Sequence, residues 1–193
     1  MDFCLLTSTT YGTWLPGDPR GSITSVRDFR PSDQKTSSRI EHDRPGEAWE
    51  PMISGLHASA QKLLKQPPVL LTVAQALVAV EQIRETAEFR GWQLLAASVM
   101  RNHFHAVVGK PESARLGRVL GDLEAYASRA LNARAGRVQD WWAHDGSKRM
   151  LPDDRAVSAA VNYVLYKQSF PLVRWGEVEG FLEEAPLTYV EGS

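Results

Sequence analysis

The tripeptide His103-Phe104-His105 stands in a strand-forming stretch where side chains alternate between faces, so both imidazoles are expected on one side and Phe104 with Ala106 on the other. Two imidazoles so placed can grip one divalent cation. A hexacoordinate ion such as Mg2+ or Mn2+ then still needs an oxygen donor from elsewhere in the chain, with water and a substrate phosphate. The same tripeptide also suits two half-buried histidines bonded to backbone groups. Further along, Tyr163 lies opposite the apolar stripe Val157, Val161, Val164, Leu165, on a surface shared with Asn162, Tyr166 and Lys167. A phenol with a pKa of about 10 is a poor nucleophile at neutral pH, but a neighbouring cation makes attack on phosphorus feasible and gives a phosphotyrosine. A packing tyrosine is the alternative reading, and Tyr166 competes for the role.

A third set of residues is basic. Arg115, Arg118, Arg129, Arg134 and Arg137 decorate a long helix, and Lys148 and Arg149 follow it. Such a track near the tyrosine suits a phosphate backbone, with Trp14, Trp141 or Trp142 to stack on unpaired bases. Surface arginines also serve simply to solvate a helix. His42, His57 and His144 show no ligand spacing, and Cys4 reads as a small buried side chain.

The elements that must position these groups follow from periodicity. Phe3 to Thr10 is apolar and β-branched over strand length, and Pro16-Gly17-Asp18-Pro19 ends it. From about 20 to 68 the chain is polar, with a short helix near Leu56 to Leu64, and reads as an insertion. Thr72, with Gln75 three residues on, predicts a capping box for a helix running to Gly91. Trp92 to Val99 and His103 to Val108 predict an antiparallel hairpin. Ser113 is the expected cap of a helix ending near Gly136. Val138 to Trp142 and Lys148 to Leu151 flank an Asp145-Gly146 turn, and a last helix spans Asp153 to about Gln168. This order predicts an α+β fold, a ferredoxin-like βαββαβ sandwich with an antiparallel sheet plus a C-terminal tyrosine-bearing helix.

Composition sets outer bounds. The 193 residues, 43% of them hydrophobic, suffice for about one domain with a real core. No apolar run approaches the ~18 residues of a membrane span, and the start lacks the flank of a secretory signal, so a cytoplasmic protein is expected. The single cysteine excludes an intramolecular disulfide and any zinc site of several thiolates. The net charge of −1 argues against a wholly basic nucleic-acid binder. Charge is nevertheless segregated: residues 176–193 hold five glutamates and no Lys or Arg, which leaves 1–175 at +4. The expected division is a catalytic domain over 1–175 and an acidic tail over 176–193. That tail either competes with phosphates for the basic surface or docks through Trp175, Phe181, Leu182 and Leu187.

Asn102-His103-Phe104-His105-Ala106-Val107-Val108 resembles the histidine, hydrophobic, histidine signature of the single-tyrosine HUH transposases. Trp141-Trp142, Gly146-Ser147-Lys148-Arg149, Leu151 and Ala160-Val161-Asn162-Tyr163-Val164 with Gln168 resemble the tyrosine-helix region of REP-associated tyrosine transposases. Thr10 to Asp18 is similar to the opening of one subgroup. The resemblance implies a metal-dependent nuclease and strand transferase acting on single-stranded DNA beside a hairpin. It makes Tyr163 the nucleophile, His103 and His105 ligands of Mg2+ or Mn2+, and 5′-phosphotyrosine with a free 3′-hydroxyl the products. It allows a homodimer that exchanges tyrosine helices. The family's third ligand, a Gln or Asn, comes about one turn after the nucleophile. Here i+4 is Lys167, and Gln168 at i+5 lies about 140° around a continuous helix from Tyr163. Gln168 therefore serves only if the helix is distorted or the register differs, with Asn162 as a substitute. A domesticated, non-catalytic DNA-hairpin-binding protein is the rival reading.

Overall fold

A computed structural model of the chain describes residues 1–18, 54–144 and 146–182. They fall into two compact units, Trp14–Pro67 and the rest of the chain. In the smaller unit, the Asp18 amide closes a turn onto the Leu15 carbonyl at 3.1 Å with Gly17 at φ 76°, and helix α1 spans Ser54–Lys62. His42, Asp145 and most of the expected insertion lie outside the described residues.

The larger unit runs β1 (Asp2–Thr9), α2 (Val73–Phe89), β2 (Gln93–Val99), β3 (His103–Lys110), α3 (Leu116–Ala135), β4 (Ser147–Leu151), α4 (Asp154–Tyr166), β5 (Val173–Gly176) and β6 (Gly180–Leu182). Its sheet has the order β4-β1-β3-β2-β5-β6, antiparallel throughout. The first four strands with α2 and α3 form the expected ferredoxin-like βαββαβ sandwich. The β5–β6 hairpin, which periodicity does not predict, extends the sheet past β2, so the boundary expected at 175/176 falls inside β5.

Local signals explain most helix ends. The Gln75 amide donates to the Thr72 hydroxyl and the Thr72 amide to the Gln75 side chain, which is the predicted capping box. The Asp153 carboxylate accepts from the Ala156 amide at 2.7 Å and starts α4. The start of α3 departs from expectation: its N-cap is Arg115, with no side-chain cap, and Ser113 lies before it.

Strand alternation assigns the helices to opposite faces. Cys4, Leu6, Phe104, Ala106 and Val108 point into a core with the α2 residues Ala79, Val80, Ile83 and the α3 residues Val119, Leu123, Leu131. Ala96, Val107, Leu5 and Leu151 point the other way, against Ala160, Val164 and Leu165 of α4. Helices α2 and α3 thus cover one face, and the tyrosine helix covers the other. The approach to β4 is tightly built, because a Cβ on Gly146 would run into the Thr7 carbonyl and stand 2.8 Å from a Leu120 methyl. Gly146→Ala is expected to cost roughly 1–3 kcal/mol through overpacking against backbone, read as a lowered urea midpoint with an unchanged slope.

Candidate active site

His103 and His105 share the face of Val107, which is the α4 face, because all three occupy odd positions on β3. Their rings meet edge to face with centroids 4.9 Å apart. The Tyr163 ring lies 5.4 Å from that of His105 at an interplanar angle of 63°.

Each imidazole is oriented by a neighbour. Asn102 Oδ1 sits 2.7 Å from His103 Nδ1, and since an amide oxygen only accepts, that ring nitrogen carries the proton and the lone pair falls on Nε2. Thr7 Oγ1 sits 2.7 Å from His105 Nδ1. Thr7 and His105 are register partners on β1 and β3, which fixes this contact through the ladder. With Nδ1 held by a hydroxyl, the ring of His105 is fixed in orientation, as partners of this kind orient imidazole ligands in metal sites.

Gln168 approaches Tyr163 by a route that helical geometry alone does not give. Helix α4 ends at Tyr166, so Gln168 is not on it. The chain curls back, and the Tyr163 carbonyl accepts from both the Lys167 amide at 3.1 Å and Gln168 Nε2 at 3.3 Å. The Gln168 side chain also acts on His105, whose pKa it raises. Two residues on, Phe170 is 78% exposed and adopts φ 55°. It is the one left-handed non-glycine among the described residues, placed where the chain reverses.

The residues present fit a hard divalent cation. Among the described residues no cluster of three or more His, Cys, Asp and Glu exists, and beside the two imidazoles the neutral amide of Gln168 is of the oxygen-donor type that such a cation accepts. Asn162 is exposed on α4. Burial, and after it the charge of His103, push His105 down from 6.5 to about 4, with the Gln168 hydrogen bond working the other way. The ring is therefore neutral and able to ligate at physiological pH. Because the folded value lies below the unfolded one, the unfolded chain takes up a proton between 6.5 and about 4 that the folded chain refuses. Stability should fall as pH falls through that window, by at most about 3 kcal/mol, and level off below it. Metal-free unfolding curves should show this component in the wild type and lose it in His105→Gln.

No protein-family model and no curated protein matches this chain. Among solved structures it is similar to a REP-associated tyrosine transposase bound to a REP hairpin, with 10% sequence identity and a TM-score of 0.44. The match covers 84% of this chain and 64% of that one, so the chain spans less than two thirds of that protein's length. Identity this low leaves function to be read from the site itself.

The two tyrosines of α4 are in different situations. Tyr166 donates its hydroxyl to Glu179 Oε1 at 3.1 Å, and that hydrogen bond raises its pKa. Tyr163 is the one beside the histidines. Glu177, also expected in the tail, accepts from Gln93 Nε2 at 3.0 Å. Both carboxylates are thus held on the β5–β6 hairpin, and Glu183, Glu184 and Glu191 lie outside the described residues.

The aromatic and basic expectations need correction. Trp142 is 9% exposed, donates its indole N–H to the Glu124 carbonyl at 3.1 Å and packs edge-on against Phe104, so it offers no face to a base. Trp141 is equally buried, with its N–H on Asn132. Trp14 is exposed and belongs to the smaller unit. Arg115, Arg118 and Arg129 are exposed on α3, across the sheet from the tyrosine, and are not its neighbours. The Arg129 guanidinium lies 4.1 Å over the Tyr126 ring. On β4, Arg149 pairs with Leu5 and shares the tyrosine's face, whereas Lys148 pairs with Leu6 on the other.

The sheet also supplies groups that motif reading missed. Ser147, Thr7, His105, Ser98 and Arg174 form one row of register partners on the α4 face. Arg174 Nη1 donates to the Leu165 carbonyl at 2.9 Å and so ties the last turn of α4 to β5. Only the strand pairing could have revealed this row, because its members are scattered along the sequence.

Proposed function

We propose that this chain is a metal-dependent, transposase-like endonuclease that cuts and rejoins single-stranded DNA beside a hairpin. The observation that carries the reading is the packing of Tyr163 at 5.4 Å against His105, with the Gln168 side chain bonded to the Tyr163 carbonyl. The sequence resemblance to REP-associated tyrosine transposases supports DNA as the substrate.

Tyr163 Oη attacks the scissile phosphorus, the bond from phosphorus to the 3′ oxygen breaks, the phenol gives up its proton, and the departing 3′ oxygen ends as a hydroxyl. The phosphate remains joined to tyrosine on one side and to the downstream 5′ oxygen on the other. One phosphoester replaces another, so a 3′-hydroxyl can reverse the step with no external energy source. His103, His105 and Gln168 would hold Mg2+ or Mn2+, with Asn102 and Thr7 orienting the imidazoles. When bound, the cation polarises a phosphoryl oxygen and offsets charge developing there. The packed ring of Tyr163 keeps the attacking oxygen in place. Arg149 lies on the same face to meet the backbone.

The test is a covalent adduct. The full chain is incubated with Mn2+ and labelled single-stranded oligonucleotides carrying a hairpin and a randomised flank, then denatured and resolved by size. The expected result is a protein–DNA band that resists denaturation and carries the label of the 3′ segment. Hairpin binding without any adduct across the library would favour the non-catalytic hairpin binder instead.

A further inference from the structure

On the far side of the sheet from Tyr163, a half-open cleft of about 610 Å3 is lined by Arg90, Trp92, Ser113, Ala114, Arg115 and Arg118. Three arginines from two segments of the chain line it, and no acidic side chain is among the lining residues. Their nearest counter-charge is Asp122, which pairs with Arg90 at 3.0 Å and stands 3.9 Å from Arg118. Arg90 and Arg118 share this one carboxylate, so the ion pairs among the described residues leave the cleft lining with more positive than negative charge. Arg115 makes no ion pair among the described residues, and the Arg118 side chain is 72% exposed. Trp92, 8% exposed, forms an apolar back wall. The Ser113 hydroxyl adds a rotatable donor, and α3 starts here with no side-chain cap and no acid in its first turn.

Guanidinium forks in a concave, partly enclosed site match the oxygens of a phosphate group better than any neutral ligand. The volume exceeds what one phosphate fills, which leaves room for the sugar or base attached to it. We propose that this cleft is a phosphate-binding site separate from the tyrosine site, taking a phosphate carried by a nucleic-acid strand or by a free nucleotide. It does not depend on the cleavage chemistry and stands even for a chain that never cuts.

The test follows backbone amide resonances of Ala114 to Arg118 in the full chain, without divalent metal and at fixed ionic strength, on adding inorganic phosphate, adenosine monophosphate, a short single-stranded oligonucleotide or acetate. Saturable shifts with a phosphate-bearing probe are expected, with acetate much weaker. Arg115→Gln combined with Arg118→Gln should weaken binding by about tenfold to a hundredfold, whereas lysine at both positions should restore part of it. Shifts with the oligonucleotide that excess phosphate removes identify a strand as the source. Shifts with adenosine monophosphate but not with the oligonucleotide identify a free nucleotide. No saturable shift with any phosphate probe, an equal response to acetate, or an unchanged response in the folded double variant overturns the site. An adduct assay that fails while these shifts appear would sink the tyrosine reading alone, and the reverse outcome would sink this one.

Discussion

Replacing Tyr163 by Phe should abolish covalent adduct formation, by on the order of 10^5-fold or more, while leaving the fold and oligonucleotide binding in place. Only the attacking oxygen is removed, and the ring that packs on His105 remains. The informative partner is Tyr166→Phe. Its hydroxyl is given to Glu179, on an exposed part of the hairpin, so that variant should form adduct near the wild-type level. Adduct retained in Tyr163→Phe and lost in Tyr166→Phe would move the nucleophile by three residues and break the link between tyrosine and histidines. Mass spectrometry of the adduct peptide settles the attachment point directly.

The second large effect concerns the cation. EDTA should eliminate cleavage by the wild type, and His105→Ala should reduce it by about a hundredfold or more through lost metal affinity, with partial recovery at high Mn2+. Thr7→Val tests the orientation of the same ring. It keeps the shape of the strand while removing the hydroxyl at 2.7 Å from Nδ1, and it should raise the Mn2+ concentration needed for half-maximal cleavage more than it lowers the rate at saturation. Cleavage that persists in EDTA would refute the metal role altogether.

Much of this arrangement is legible without coordinates. A period of two places both histidines on one side of β3, and capping and stripe signals locate α2 and α4. What escapes sequence reading is anything set by pairing between distant segments. Gln168 reads as lying far around the helix from Tyr163 while α4 is imagined to continue, yet its side chain returns to the Tyr163 carbonyl because the helix stops at Tyr166. Trp142 next to Trp141 reads as a stacking pair, yet burial of an aromatic is decided by what packs around it, here Phe104 and the Glu124 carbonyl. The α3 arginines read as neighbours of the tyrosine because they are neighbours in the chain. Their helix and α4 lie on opposite faces, a fact fixed by which strand residues each covers. The β5–β6 hairpin is hidden by its brevity, strands of 4 and 3 residues with a glycine in each and two glutamates in the turn between them.

The outer position of β4 has a consequence for self-association. As the last strand in the sheet order, it presents one side of its backbone without a partner strand among the described residues, a template on which another chain could add. Lys148 and Arg149 sit in the middle of that strand and are exposed, so two such edges brought together would repel each other. The opposite edge, β6, is only 3 residues long and offers little to pair with. Neutralising Lys148 and Arg149 to weaken contact with DNA would therefore also remove the charges that discourage edge-to-edge stacking. A loss of DNA binding in such a variant means something only when light scattering shows that the protein has kept its native particle size.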